Sequence, residues 1–261
     1  SFESRPGNFF REGEDFIVKY EDYYTWQEDV PGFGSEAQEK LRNSTALVSR
    51  VGGLGGPLAL SLAAAGVGRI ILAHGGELRP DDLNRQILMT HEGLGSGRHV
   101  QAAETLRRFN RDLEIESMGQ NVSEENIAGL VERADIVFSC APLFEERLLM
   151  NREAMSQGKF FVDGAMCSME GHVLAVDPGK STCLGCLVKA PPAYWKRRFP
   201  VIGAVSAMVA QIAALEGIKL LTRFAEPAVN RMIHIDAQWM RMKKVRLVRD
   251  AACHHCSGTT S

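Results

Sequence analysis

The 261-residue chain has no uninterrupted apolar run long enough to span a membrane. Its most apolar stretch, 201–221, is broken by Gln211, Glu216 and Lys219 before about 18 apolar residues accumulate, so it reads as a buried helix. Neither sign of charge is in excess: 30 Lys+Arg stand against 32 Asp+Glu, a formal net charge of -2. Without a bulk positive field the chain is expected to bind neither nucleic acid nor membrane. The first thirty residues lack a basic start followed by an apolar stretch, so no secretory signal is read and the expected location is cytoplasmic. Internal repeats and low-complexity linkers are missing too. With 45% apolar and 24% charged residues, the composition excludes disordered, collagen-like and disulfide-stapled classes. At roughly 150 residues per domain the length allows one large domain or two small ones, and no clean boundary shows between them.

What is present is an alternation of short strands and helices. A helical piece is expected around 22–29. Ser35, with Gln38 three residues on, has the pattern of a capping box opening a helix to Asn43. Thr45–Ser49 reads as a strand, the glycine cluster 51–57 leads into a helix to Ala65, and Arg69–Ala73 is a second strand, which completes a βαβ unit. The pattern continues with a helix at 98–109, a strand at 113–117, a helix N-capped by Ser123 and a strand at 135–139. A helix at 145–156 precedes strands at 160–163 and 171–176; the long helix after Val201 precedes strands at 231–236 and 245–248. The predicted class is α/β: a Rossmann-like, mainly parallel sheet continued by antiparallel strands where the connections become too short for crossovers.

Six cysteines in a reducing compartment suggest metal or redox chemistry rather than disulfides. Cys183 and Cys186 form one CxxC pair, and Cys253 and Cys256 another. Two such pairs can complete a tetrahedral thiolate site, the usual structural zinc arrangement. The separation is far longer than the roughly 15–20 residues of a ribbon finger, so the metal would join distant parts of the chain. Dithiol redox motifs and plain core packing are the alternatives. Cys140 and Cys167 stand outside this scheme and read as packing residues, with a nucleophile for acyl or sulfur relay as the sharper alternative.

A strand running into Gly52, Gly53, Leu54 and Gly55 and then a helix places unpaired backbone N–H groups at a helix start, a ready phosphate site; tight packing is the alternative use of those glycines. Together with LNRQIL (83–88), IGAVSAMVAQIAALEGIKLL (202–221) and the paired CLGC and CHHC, the segment VGGLGGPLALSLAAAGVGRIIL (51–72) resembles the ThiF/MoeB/HesA family, prokaryotic relatives of ubiquitin-activating enzymes, over residues 35–257. The stretch GGELRPDDLNRQ looks most like the HesA branch. The resemblance implies an N-terminal arm (1–34) and a single adenylation domain (35–261) that includes the zinc region. It implies a homodimer that binds ATP and magnesium at the carboxyl edge of the sheet. The enzyme would adenylate the terminal glycine of a small ubiquitin-like sulfur-carrier protein, or a related peptide carboxylate.

Carried over by position, Gly52, Gly53, Gly55, Asn84, Arg85 and Gln86 would contact nucleotide, and Arg85 and Arg98 would serve catalysis by neutralising charge at the phosphates. Arg98 stands where the family has a lysine, so the charge persists on a flat fork rather than a compact ammonium. Four positions depart from the family: Arg50 replaces the first loop glycine, Trp26 an arginine that crosses the dimer, His74 the acid that grips ribose, and Pro142 the acid that helps hold magnesium. Glu77, Asp81 and Asp82 are possible replacement carboxylates, and Arg50 is a possible phosphate contact. Lys196, Arg197 and Arg198, in a segment that resembles the family's crossover loop, would meet an incoming carboxylate tail. Three function classes follow: a divergent adenylyltransferase, a catalytically idle zinc-bound scaffold or partner subunit, and a dinucleotide oxidoreductase whose signature acid would be Glu77.

Overall fold

In the computed structural model, which describes residues 20–195 and 198–256, the alternating segments fold into one mixed sheet. Its strands are β1 (Thr45–Ser49), β2 (Arg69–Ala73), β3 (Glu114–Met118), β4 (Ile136–Ser139), β5 (Phe160–Cys167), β6 (Glu170–Val176), β7 (Arg231–Asp236) and β8 (Arg241–Arg246). Their spatial order is β3-β2-β1-β4-β5-β6-β7-β8. The pairings from β3 to β5 are parallel and those from β5 to β8 antiparallel, as the shortening connections predict.

The helices are α1 (Thr25–Glu28), α2 (Gly34–Arg42), α3 (Gly55–Ala65), α4 (Arg98–Phe109), α5 (Ile127–Glu132), α6 (Phe144–Ser156), α7 (Leu184–Leu187) and α8 (Gly203–Thr222). They cover both faces of the parallel half. Along β1, Ala46 and Val48 enter one core with α2, α3, α4 and α8, while Leu47 enters the other with α5 and α6. Near-continuous burial of β1, β2 and β4 follows from this double cover. Helix α8 is the one described helix long and apolar enough to cross a membrane, but it packs on β5 and β6, with Val209, Ala210, Ala213 and Leu220 fully buried.

Three local expectations need correction. Ser35 is not a cap, because α2 starts at Gly34 and shows no side-chain cap bond. Gln38 instead turns into the core, donates to Tyr20 Oη (3.0 Å) and the Ala65 carbonyl (3.1 Å), and accepts from Gln27 (2.6 Å). These bonds tie α1 and α2 to the end of α3, where Gly66 turns with φ +87°. Ser123 does not open α5 either; Asn126 precedes it, and its side chain accepts from the Ser123 N–H (2.9 Å) to close a separate turn. Finally, β8 covers Arg241–Arg246 rather than 245–248. The turn at Met240 (φ +51°) sets the hairpin register, so a run of exposed basic residues becomes the edge strand.

Candidate functional site

Strand β1 lies between β2 and β4, so connections leave it toward opposite sides of the sheet. At such a switch point the loops after neighbouring strands part and leave a crevice at the strands' carboxyl ends. A cavity of about 480 Å3 opens there. The turn after β1 supplies Arg50, Gly52 and Gly53, the end of β2 supplies His74, and the loop after β4 supplies Cys140 and Pro142. The segment before α4 adds Asp81, Asp82, Arg85 and Gln86. Gly53, Leu54 and Gly55 donate their N–H groups to no described backbone acceptor, as expected for the start of α3. At Gly55 a Cβ would sit 2.5 Å from the Arg50 carbonyl, so that position requires glycine; at Gly53 it would meet Arg85 Cγ at 2.9 Å and push that side chain aside. Gly52 has more room, since its nearest neighbours would be the Gln86 amide at 3.7 Å and His74 at 3.8 Å.

Four of the guanidiniums that line this cavity, those of Arg50, Arg85, Arg98 and Arg147, are held by carboxylates. Arg98 donates to Asp82 Oδ2 through Nε (3.1 Å) and Nη2 (2.6 Å). Asp82 Oδ1 accepts from Gln86 Nε2 (2.6 Å) and Arg85 Nη2 (3.3 Å). Arg50 forms a fork with Glu146, its Nε at 2.9 Å and Nη2 at 2.6 Å from Oε2. Arg50 has φ +59°, where glycine is favoured, and this nearly buried two-point pair fixes it there. Arg50 therefore points at Glu146 while still lining the cavity.

Deeper still, Arg147 Nε and Nη2 donate to Asp163 at 2.9 and 2.5 Å, with exposures of 2% and 0%. Burial alone would raise the Asp163 carboxyl, but the Arg147 guanidinium overcomes it and holds the group below the usual carboxylate range. Burial, with Asp163 and Glu146 nearby, pushes the Cys140 thiol well above its ordinary range, so it is a protonated wall atom at neutral pH.

His74 is buried, and its Nδ1 has no described partner. Burial, reinforced by the Arg98 and Arg50 guanidiniums, pushes its pKa down to about 3. Its ring is therefore neutral at physiological pH, with hydrogen bonding but not the charge of a carboxylate to offer the cavity. Above the free value of about 6.5 both folded and unfolded chains carry it neutral; below it only the unfolded chain takes the proton. Stability should accordingly fall by about 1.4 kcal/mol per pH unit as pH drops from about 6.5 toward the folded value. In an NMR titration the His74 ring signals should stay flat from pH 8 to 5, and a midpoint near 6.5 would contradict this burial.

Of the other residues singled out in the sequence, Gly52, Gly53, Arg85, Gln86 and Arg98 line the cavity together. Gly55 is buried behind it, and Asn84 is exposed, with its Oδ1 accepting from Arg85 Nη1 (3.0 Å). Trp26 is 91% exposed and outside the lining, as is Glu77, which bridges to Gly97. Asp82 is already in ion pairs and Asp81 lines the rim, so the acidic loop holds one uncommitted cavity carboxylate. Arg198 lines the mouth, whereas Lys196 and Arg197 lie outside the described residues.

The sequence did not reveal the Arg50–Glu146 and Arg147–Asp163 pairs or Trp195. The available signals were an arginine amid apolar α6 positions and an aspartate in an otherwise apolar strand. Trp195 donates its Nε1–H to the Pro142 carbonyl (2.7 Å) and packs beside Phe144 and Phe199.

A second centre lies on the other sheet face. The sulfurs of Cys183, Cys186, Cys253 and Cys256 all fall within 4.8 Å of one another, with separations of 3.9 Å (183–186), 3.7 Å (183–253) and 3.6 Å (186–256). A zinc ion with bonds of about 2.3 Å to four thiolates requires edges of about 3.8 Å, so the donor set and spacing fit. The first pair sits at the start of α7, not in a loop, and the second on the tail. Asn151, fully buried on α6, braces both, donating to Cys183 Sγ (3.6 Å), accepting from Leu184 N (2.9 Å) and pairing with His255 Nδ1 (3.0 Å). His255 thus supports the site from behind the sulfurs.

Among known proteins, the chain matches the ThiF family over residues 24–257. It is similar to the heterocyst HesA protein of Trichormus variabilis, 44% identical over 233 residues that cover 89% of this chain and 87% of that one. It is also similar to adenylyltransferase and sulfurtransferase MOCS3-1 of Zea mays, 32% identical over 263 residues, covering 97% of this chain and 55% of that protein. Of solved structures, E. coli MccB with AMPCPP and MccA superposes with a TM-score of 0.80 over 92% of this chain and 75% of that chain, at 19% identity, a likeness of fold.

Proposed function

The chain belongs to the ThiF family, and from that premise we propose that it activates a carboxylate of a small protein or peptide by ATP-dependent adenylation. The observation that carries this is the convergence of the glycine turn, Arg85 and Arg98 on one cavity at the switch point. In such a reaction a carboxylate oxygen attacks the α-phosphorus and pyrophosphate leaves, so the site must neutralise charge on both anions. The free N–H groups at the start of α3 face one end of that charge. Arg85 and Arg98 supply the cations, and neutral His74 with Gln86 offers hydrogen bonds to a nucleoside. The names of the relatives agree in chemistry: MOCS3-1 is an adenylyltransferase, and MccB has been crystallised with a nucleotide and MccA.

The cavity offers little to a dedicated magnesium site: Asp82, Glu146 and Asp163 are ion-paired and Pro142 brings no carboxylate, which leaves Asp81 at the rim. A divalent ion would have to arrive with the nucleotide, and no step here depends on it. We further propose that residues 35–261 form the adenylation domain behind an arm at 1–34, that the chain acts as a cytoplasmic homodimer, and that the substrate is a ubiquitin-like carrier or peptide tail entering past Arg198.

A second function, an idle scaffold or partner subunit, is favoured by one observation: Trp195 closes onto the Pro142 carbonyl while Arg50, Arg85 and Arg98 are engaged by the chain's own carboxylates. ATP binding followed by pyrophosphate exchange separates the two. Adenylation predicts ATP-dependent exchange when a carrier is added; exchange at background level with every carrier, despite bound ATP, would leave the scaffold. A dinucleotide oxidoreductase finds no support, since Glu77 is outside the cavity.

A further inference from the structure

Asp82 is 5% exposed, and five N–H donors converge on its two oxygens. Oδ2 takes Nε and Nη2 of Arg98 and the Arg79 backbone N–H (3.0 Å); Oδ1 takes Gln86 Nε2 and Arg85 Nη2. A carboxylate has about four lone-pair sites, so this one is saturated. Both of its guanidinium partners line the cavity, with the Arg85 stem lying against Gly53 of the glycine turn. A phosphate group needs the same things: planar forks, charge-assisted donors and nearby backbone N–H groups. Asp82 therefore stands as an internal anion on the groups that a phosphoryl ligand would use.

We propose that Asp82 is a specificity-determining residue that competes with phosphate for Arg85 and Arg98, so that the cavity admits a polyphosphate only when it displaces the carboxylate. This rests on the proposed nucleotide role of the cavity, and extends it by naming the residue that sets its phosphate affinity. The competition is local. Releasing the carboxylate leaves both arginines at the wall, already oriented by their Asp81 and Gly75 carbonyl contacts. It also leaves Gln86 with a new option, because Gln86 Oε1 is buried and has no described partner. If the Gln86 amide turns over, that oxygen can accept from the amide that Asp82→Asn introduces, so the substitution removes a charge without orphaning the brace.

The test measures affinity of the wild-type chain and of Asp82→Asn for ATP, inorganic tripolyphosphate and adenosine, at one fixed salt concentration. Asp82→Asn should bind ATP and tripolyphosphate roughly tenfold tighter or more, because a competing charge-assisted contact is gone, and adenosine with unchanged affinity. Unchanged or weaker polyphosphate binding, or an equal gain for adenosine, would overturn the proposal and make Asp82 a structural brace.

If the variant fails to fold, the wild-type chain still decides: the Arg98 Nε–H resonance should shift on saturation with tripolyphosphate, and a resonance that stays put would overturn the competition. Pyrophosphate exchange is measured separately. Tighter tripolyphosphate binding without exchange keeps Asp82 as the phosphate competitor and discards the adenylation function.

Discussion

Replacing Cys253 by serine should release the metal from the chain and lower its melting temperature by about 10–20 °C, the largest effect expected of any single substitution considered. The cause is topological. Cys253 and Cys256 lie on the tail beyond β8, and the described tail contacts on the body centre on the sulfur cluster, the Arg249 guanidinium and Lys189–Asp250.

Burial pushes the Cys183 thiol well above its ordinary range, so without a cation that sulfur stays protonated and repays nothing for its burial. A divalent ion reverses that sign, and its binding free energy becomes folding free energy. A loss of about 5 kcal/mol at about 2–4 °C per kcal/mol gives the stated shift. Native mass spectrometry should find one metal per wild-type chain and none in Cys253→Ser. A variant that keeps its metal and melts within a few degrees of wild type would refute the role assigned to these thiols.

Arg147→Ala should cost about 3–5 kcal/mol, because it strands the Asp163 carboxylate in the core. Arg147 also stacks over Phe144 (4.4 Å) and meets His172 Nε2 (3.0 Å), so truncation opens space as well. Removing both charges with leucines at 147 and 163 should recover much of the loss, since the desolvation cost of the pair disappears with it. Thermal melts of the two singles and the double complete the cycle. If the double is as unstable as Arg147→Ala, packing and not charge is the main term.

Acid adds a second check. The folded Asp163 carboxyl lies below its unfolded value of about 3.9, so its contribution is complete above that pH and is lost as pH falls through the folded value. Asp163→Asn should therefore flatten the acid limb of stability below about pH 4 while leaving the His74 slope below about pH 6.5 intact.

These two centres differ in how far the sequence displayed them. The cysteines were legible because metal chemistry demands a residue type at a fixed spacing, twice, which plain core packing does not. The glycine turn was legible for a similar reason: steric exclusion by backbone at Gly55 is severe enough to mark the chain. Strand and helix positions followed from burial on two sheet faces, and β1, β2, α4 and β7 lie where the pattern puts them. Where side-chain hydrogen bonding decided a boundary, as at Ser35, Ser123 and the start of β8, local pattern misled, since the partners lay in other elements or in a turn's geometry.

The sequence by itself determined the α/β class, the family and the residue types that meet in the cavity and the sulfur cluster, because each is a matter of residue type at short range. Only the tertiary structure decided which charges remain available. Arg50 meets Glu146 and Arg147 meets Asp163, and Asp82 gathers Arg85 and Arg98, through contacts between segments up to 96 residues apart. Ion pairing depends on ångström distances and on exclusion of water, neither of which is encoded in spacing along the chain.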